Sequence, residues 1–228
     1  MKNNILSFIV ESVAKTKEQR KEFPFGNGYA FIKDALPKNI DFEYVLKSVQ
    51  DEVPHSLLSL VDSIIVGDFE EFRDRQINAM YKDGAVYVSN IQTDNDDMID
   101  DIVHEVAHAV EQEYGFEIYS DESKIVQEFM QKRKKLKSML EANGIQTQGY
   151  DFDNVEYDKD FDDYLFKTVG YPILSNMVVG LFPDAYSATS VSEYFASGFE
   201  MYFLKDRDYL KKVSPKLYRK ITEILKDV

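Results

Sequence analysis

Residues 95–115 read NDDMIDDIVHEVAHAVEQEYG, and their periodicity decides what the chain folds around. Met98, Ile99, Ile102, Val103, Val106, Ala107 and Val110 recur at helical spacing, which predicts a helix over about 95–114 with one buried face. Thr93 or Asp94 can cap its start, and Asp96 and Asp97 suit the positive end of the helix dipole. Gly115 is placed to stop it. Inside this helix lies His104-Glu105-Val106-Ala107-His108, an H-E-x-x-H motif in a chain with 3 histidines. Residues four apart stand one turn above each other, with Cβ atoms roughly 6 Å apart. Two imidazoles so placed can converge on one zinc ion (Zn2+). Glu105 is rotated about 100° from His104, so it can reach a zinc-bound water rather than the metal. These are two ligands and a general base for metal-assisted peptide hydrolysis. The alternative is a pair of satisfied structural histidines.

Catalytic zinc needs a third protein ligand. Glu111 shares the helix face but lies seven residues from His104, about 10.5 Å along the axis, too far to meet the same ion. His55 sits upstream in a Pro-His-Ser turn context. The downstream stretch 190–200, SVSEYFASGFE, is the better source. Val191, Tyr194, Phe195, Phe199, Tyr202 and Phe203 give it an amphipathic helical pattern, and Glu193 is the candidate ligand. Ser190-x-x-Glu193 is also a capping box, and Glu200 is a rival one face-repeat later.

The two segments together resemble the anthrax lethal factor-like metallopeptidases, which include the Pro-Pro endopeptidases. That family joins H-E-x-x-H to a downstream E-F-F-A-E segment whose first Glu is the third zinc ligand. Here the segment is Glu193-Tyr194-Phe195-Ala196-Ser197, and the likeness continues through Phe199 and Tyr202-Phe203-Leu204. The resemblance implies Glu193 as third ligand. It also implies Tyr186, seven residues earlier, as the group that steadies the oxyanion. It covers about 80–228 and is weak over the first fifty residues. One departure stands out: Ser197 occupies the place of the family's second Glu, expected to orient a histidine ligand.

Composition bounds the rest. A chain of 228 residues with 44% hydrophobic content suits one domain, or one with a small appendage. With Cys 0, disulfides and thiolate metal sites are excluded. The short run Ile5–Val10 is too weak for a signal peptide, and no stretch reaches transmembrane length. A soluble protein is expected, cytoplasmic or built into a larger particle. The formal charge of −14 argues against nucleic acid and against anionic membrane surfaces as partners.

Along the chain, helices are expected near 3–20, 41–50, 55–61, 121–142, 165–180, 190–204 and 215–226. Phe25–Tyr29 reads as a turn and Ala30–Lys33 as a short strand. Residues 63–67 and 84–90 read as strands. Lys132-Arg133-Lys134-Lys135 reads as a solvated helix face. The acidic segment 145–163 reads as a mobile loop and a possible lid; it lacks the ligand pattern of a calcium loop.

The resulting expectation is an α+β, zincin-like metallopeptidase: a small mixed sheet beside the zinc helix and a mostly helical C-terminal half. Residues 1–50 form a helical appendage and 51–228 the catalytic domain. Zinc sits on His104, His108 and Glu193, with Glu105 as general base and Tyr186 as oxyanion donor. The substrate is a protein or peptide, added as a strand along Ala85, Val86, Tyr87 and Val88. The rival is a zincin-fold structural or interaction protein, in a virion or toxin complex, that keeps zinc with little or no peptidase activity.

Overall fold

The computed structural model describes residues 22–75, 77–120 and 124–227. The expected helix over 3–20 lies outside them. By its internal contacts the chain divides into two compact units, Met1–Val106 and Ala107–Val228.

The first unit is built on a five-stranded mixed sheet in the order β1-β2-β3-β5-β4. Strands β1 (Glu22–Phe25) and β2 (Gly28–Ile32) form an antiparallel hairpin, so the expected turn at 25–29 is the tip of a longer structure. Strand β2 then runs parallel to β3 (Ser63–Gly67). The crossover between them carries helices α1 (Phe42–Glu52) and α2 (His55–Leu58). Asp41 caps α1 by accepting from the Tyr44 N–H at 3.1 Å, and Phe42, Val45, Leu46 and Val49 form its buried face. Because β2 pairs with β3, residues 22–50 belong to the sheet unit; a boundary at residue 50 would cut between paired strands.

Strand β5 (Ala85–Ser89) runs parallel to β3 on one side and antiparallel to β4 (Ala79–Lys82) on the other. Helix α3 (Glu70–Arg75) precedes β4. Asp83 (φ 51) and Gly84 (φ 83) turn the β4–β5 hairpin. Two successive positive φ angles match the twist of the flanking strands, and Asp-Gly is the pair that tolerates them. Val86 and Val88 are fully buried.

Helix α4 (Asn95–Tyr119) runs across the division between the units. In its first half Met98, Ile102, Val103 and Val106 are fully buried, as the apolar stripe requires. Tyr114 is non-helical (φ −105, ψ 17), which interrupts the helix where the sequence expects it to end; helical turns resume and continue to Tyr119.

The second unit is helical: α5 (Lys124–Ala142), α6 (Lys159–Asp163), a π-helix (Tyr164–Val169), α7 (Tyr171–Val178), a 3-10 turn (Tyr186–Ala188), α8 (Val191–Leu204), α9 (Arg207–Val213) and α10 (Pro215–Asp227). The expected helix over 165–180 is broken at Gly170 (φ 81), with Pro172 opening the next segment. Helix α8 packs against α5, α9 and α10. A Cβ on Gly198 would lie 2.2 Å from Leu217, so α8 and α10 approach as closely as a glycine allows. Phe129, Phe182 and Tyr194 meet edge-to-face and tilted at 5.6–6.1 Å to form the aromatic centre.

Two expectations in this unit are corrected. Lys132 and Arg133 are not on a solvated face: they are 6% and 1% exposed, because α5 turns them inward onto backbone carbonyls. The segment 145–163 is tethered. Arg133 donates to Asn154 O at 2.9 Å, and the Val191 N–H donates to Val155 O at 2.8 Å. No helix among the described residues is long and apolar enough to cross a membrane.

Candidate metal centre

Helix α4 carries His104, Glu105 and His108 within five residues, and α8 carries Glu193 in its first turn. Helix α8 begins where Ser190 adopts extended backbone and its Oγ accepts from the Glu193 N–H at 3.1 Å. That satisfies one half of the capping box. The Glu193 carboxylate itself lies with Oε2 3.6 Å from Nε2 of His108. One ligand atom each from His104, His108 and Glu193 lie within 4.8 Å of one another, and all three residues are half-buried. This His-His-Glu group could hold a metal ion.

The donor chemistry fits. Tetrahedral zinc with bonds of about 2.0–2.2 Å needs ligand atoms about 3.3–3.5 Å apart, close to the His108–Glu193 separation. Nδ1 of His108 lies 3.1 Å from Glu111 Oε2, which leaves Nε2 as the nitrogen turned toward Glu193. Burial pushes the Glu111 carboxyl up. Its hydrogen bonds with His108, Ser192 and Tyr119 outweigh that and hold it below the ordinary range. The rival ligand Glu200 is engaged elsewhere, paired with Lys205. His55 contacts Ser59, the residue that follows α2, and stands apart from the group.

Glu105 is 8% exposed, and its Oε2 accepts from the backbone N–H of Tyr81, on β4, at 2.6 Å. One turn earlier, burial pushes the Asp101 carboxyl up to about 7, with the charge of Glu105 adding to the rise and a hydrogen bond from Gln92 opposing it. Tyr186 opens the 3-10 turn. Burial first, then the negative charges of Glu193 and Asp162, raise its phenol well above the usual value, so it stays protonated and able to donate.

The link between Tyr186 and Glu193 is held from behind. Arg133 donates through Nε to Ala188 O at 2.8 Å and through Nη2 to Thr189 O at 2.7 Å. Thr189 Oγ1 closes back on Tyr186 O at 2.8 Å. These bonds fix the short path from the tyrosine to the helix cap.

The strand expectation fails at this point. Residues 85–88 of β5 are paired on both sides, with β3 and with β4. Ala85, Val86, Tyr87 and Val88 therefore cannot accept an added strand. The edge strand on this side of β5 is β4, and Tyr81 is the residue that sequence reasoning missed. Its signal was present: Asp83-Gly84 marks a hairpin and implies a strand before it.

Compared with protein-family models, with curated proteins and with solved structures, the chain matches none.

Proposed function

We propose that this chain is a zinc-dependent endopeptidase with a zincin-like core, of the kind its motif pair resembles. The convergence of His104, His108 and Glu193 beside a buried glutamate one residue after the first histidine carries this reading. His104, His108 and Glu193 would hold the zinc, which when bound supplies Lewis acidity toward a water and a peptide carbonyl. Glu105 takes a proton from the attacking water and returns it to the leaving amine. The Tyr186 phenol donates a hydrogen bond to the oxygen of the attacked carbonyl. A purely structural metal site has no use for a glutamate in that place.

The substrate is an extended peptide that adds to β4. Tyr81 supports this. Its N–H is turned away from β5 and donates to Glu105. A substrate carbonyl that took this N–H would release Glu105 for proton transfer. Strand addition recognises backbone, so selectivity falls to side-chain pockets.

The test is cleavage of a random peptide library by wild type and by Glu105→Gln, each loaded with zinc. Glutamine is nearly isosteric but cannot accept the proton. Cleavage by wild type and none by the variant supports the reading. Zinc bound with no cleavage by wild type favours the structural rival.

A further inference from the structure

The family-like segment lacks its second glutamate, and the local structure shows that Ser197 does not replace it. Ser197 is 2% exposed, and its Oγ has no hydrogen-bond partner among the described residues. The His108 imidazole is nevertheless held from behind. Nδ1 of His108 is 3.1 Å from Glu111 Oε2. The same oxygen accepts from Ser192 Oγ at 2.6 Å, and Glu111 Oε1 accepts from the Tyr119 hydroxyl at 2.6 Å.

Helix geometry explains the arrangement. Glu111 is three residues after His108, so the two share a face. The same spacing that keeps Glu111 from meeting the metal alongside His104 places its carboxylate behind the His108 ring. Tyr119 lies eight residues on, about 12 Å along an unbroken helix. The non-helical Tyr114 falls between them. Ser192 immediately precedes Glu193, so the segment that offers the third ligand also anchors Glu111.

We propose that Glu111 is the positioning residue of the metal centre: it fixes the His108 tautomer and ring so that Nε2 presents its lone pair to the metal, the role that Ser197 leaves vacant. Ser192 and Tyr119 hold the carboxylate in place. Metal-ligating histidines commonly donate a hydrogen bond from their other ring N–H to such a carboxylate, which orients the ring and raises its basicity. The inference rests on the metal reading of His104, His108 and Glu193.

The experiment measures zinc affinity by competition with a chromophoric chelator for wild type, Glu111→Gln, Glu111→Ala and Ser197→Ala. The visible spectrum of each cobalt(II)-substituted protein is recorded alongside. Glu111→Gln keeps the size of the side chain, and thermal melts of the metal-free forms show that each variant is folded. Glu111→Ala is expected to bind zinc about 10–100-fold more weakly, and Glu111→Gln more weakly than wild type by a smaller factor. Both are expected to shift the cobalt bands, which a change in folding stability alone would not do. Ser197→Ala is expected to match wild type. Wild-type affinity and unchanged cobalt bands in both Glu111 variants would overturn this inference alone. Failure of wild type to bind zinc or cobalt would overturn the metal reading and this inference with it.

Discussion

Replacing Arg133 with leucine removes the cation that ties three segments of the second unit together. Its guanidinium donates to Ala188 O at 2.8 Å, Thr189 O at 2.7 Å and Asn154 O at 2.9 Å, and it lies 3.9 Å from the Phe161 ring centroid. Each orphaned buried carbonyl costs about 1–3 kcal/mol, less where water enters the vacated space. Taken together, with water offsetting part of the loss, Arg133→Leu should destabilise the protein by about 3–5 kcal/mol. With a urea slope of about 2–3 kcal/mol/M, the unfolding midpoint should fall by about 1–2.5 M. Arg133→Lys keeps the charge but loses the planar fork, so its fall should be intermediate. Urea titration followed by far-UV circular dichroism is the assay. An Arg133→Leu midpoint within about 0.3 M of wild type, well below that drop, would refute the argument that Arg133 braces the Tyr186–Glu193 path.

Other outcomes follow from the same geometry. Tyr186→Phe should lower turnover by about 10–1,000-fold with zinc content unchanged, and equal turnover would remove Tyr186 from the mechanism. Tyr81→Pro deletes the N–H that β4 turns away from β5, so it should raise KM or abolish cleavage while zinc stays bound; unchanged kinetics would place the substrate elsewhere. Burial depresses the Lys132 ammonium to about 8, below its unfolded value of 10.5. Between those two values the unfolded chain holds a proton that the native state has released, so stability rises with pH across that window. Wild type should therefore gain on Lys132→Met in denaturant titrations between the two pH limits, and a constant or falling difference would contradict the burial argument.

The parts of this molecule that were legible in sequence are those written in short periods. The apolar stripe of α4 and the aromatic run of α8 announced their helices. The strands at 63–67 and 84–90 announced themselves by the short apolar runs Ile64–Val66 and Ala85–Val88 between turn-forming residues. H-E-x-x-H marked His104 and His108, but spacing left Glu200 a rival to Glu193, and the resemblance of the second segment chose between them. What stayed hidden depends on pairing at long range. Strand β4 has no alternation to read, because three of its residues are half-buried and the fourth exposed. The inward turn of Lys132 and Arg133 depends on carbonyls some twenty to eighty residues away, which no local pattern reports. Glu111 was passed over because spacing excluded it as a ligand. That exclusion stands, but it says nothing of a carboxylate's use behind a ligand.

The proposed activity depends on a single zinc on His104, His108 and Glu193. Elemental analysis of purified wild type, His104→Ala, Glu193→Ala and Glu200→Ala tests it most directly. Near-stoichiometric zinc is expected in wild type and Glu200→Ala, and a sharp loss in His104→Ala and Glu193→Ala. Unchanged zinc in His104→Ala, or a greater loss in Glu200→Ala than in Glu193→Ala, would contradict it.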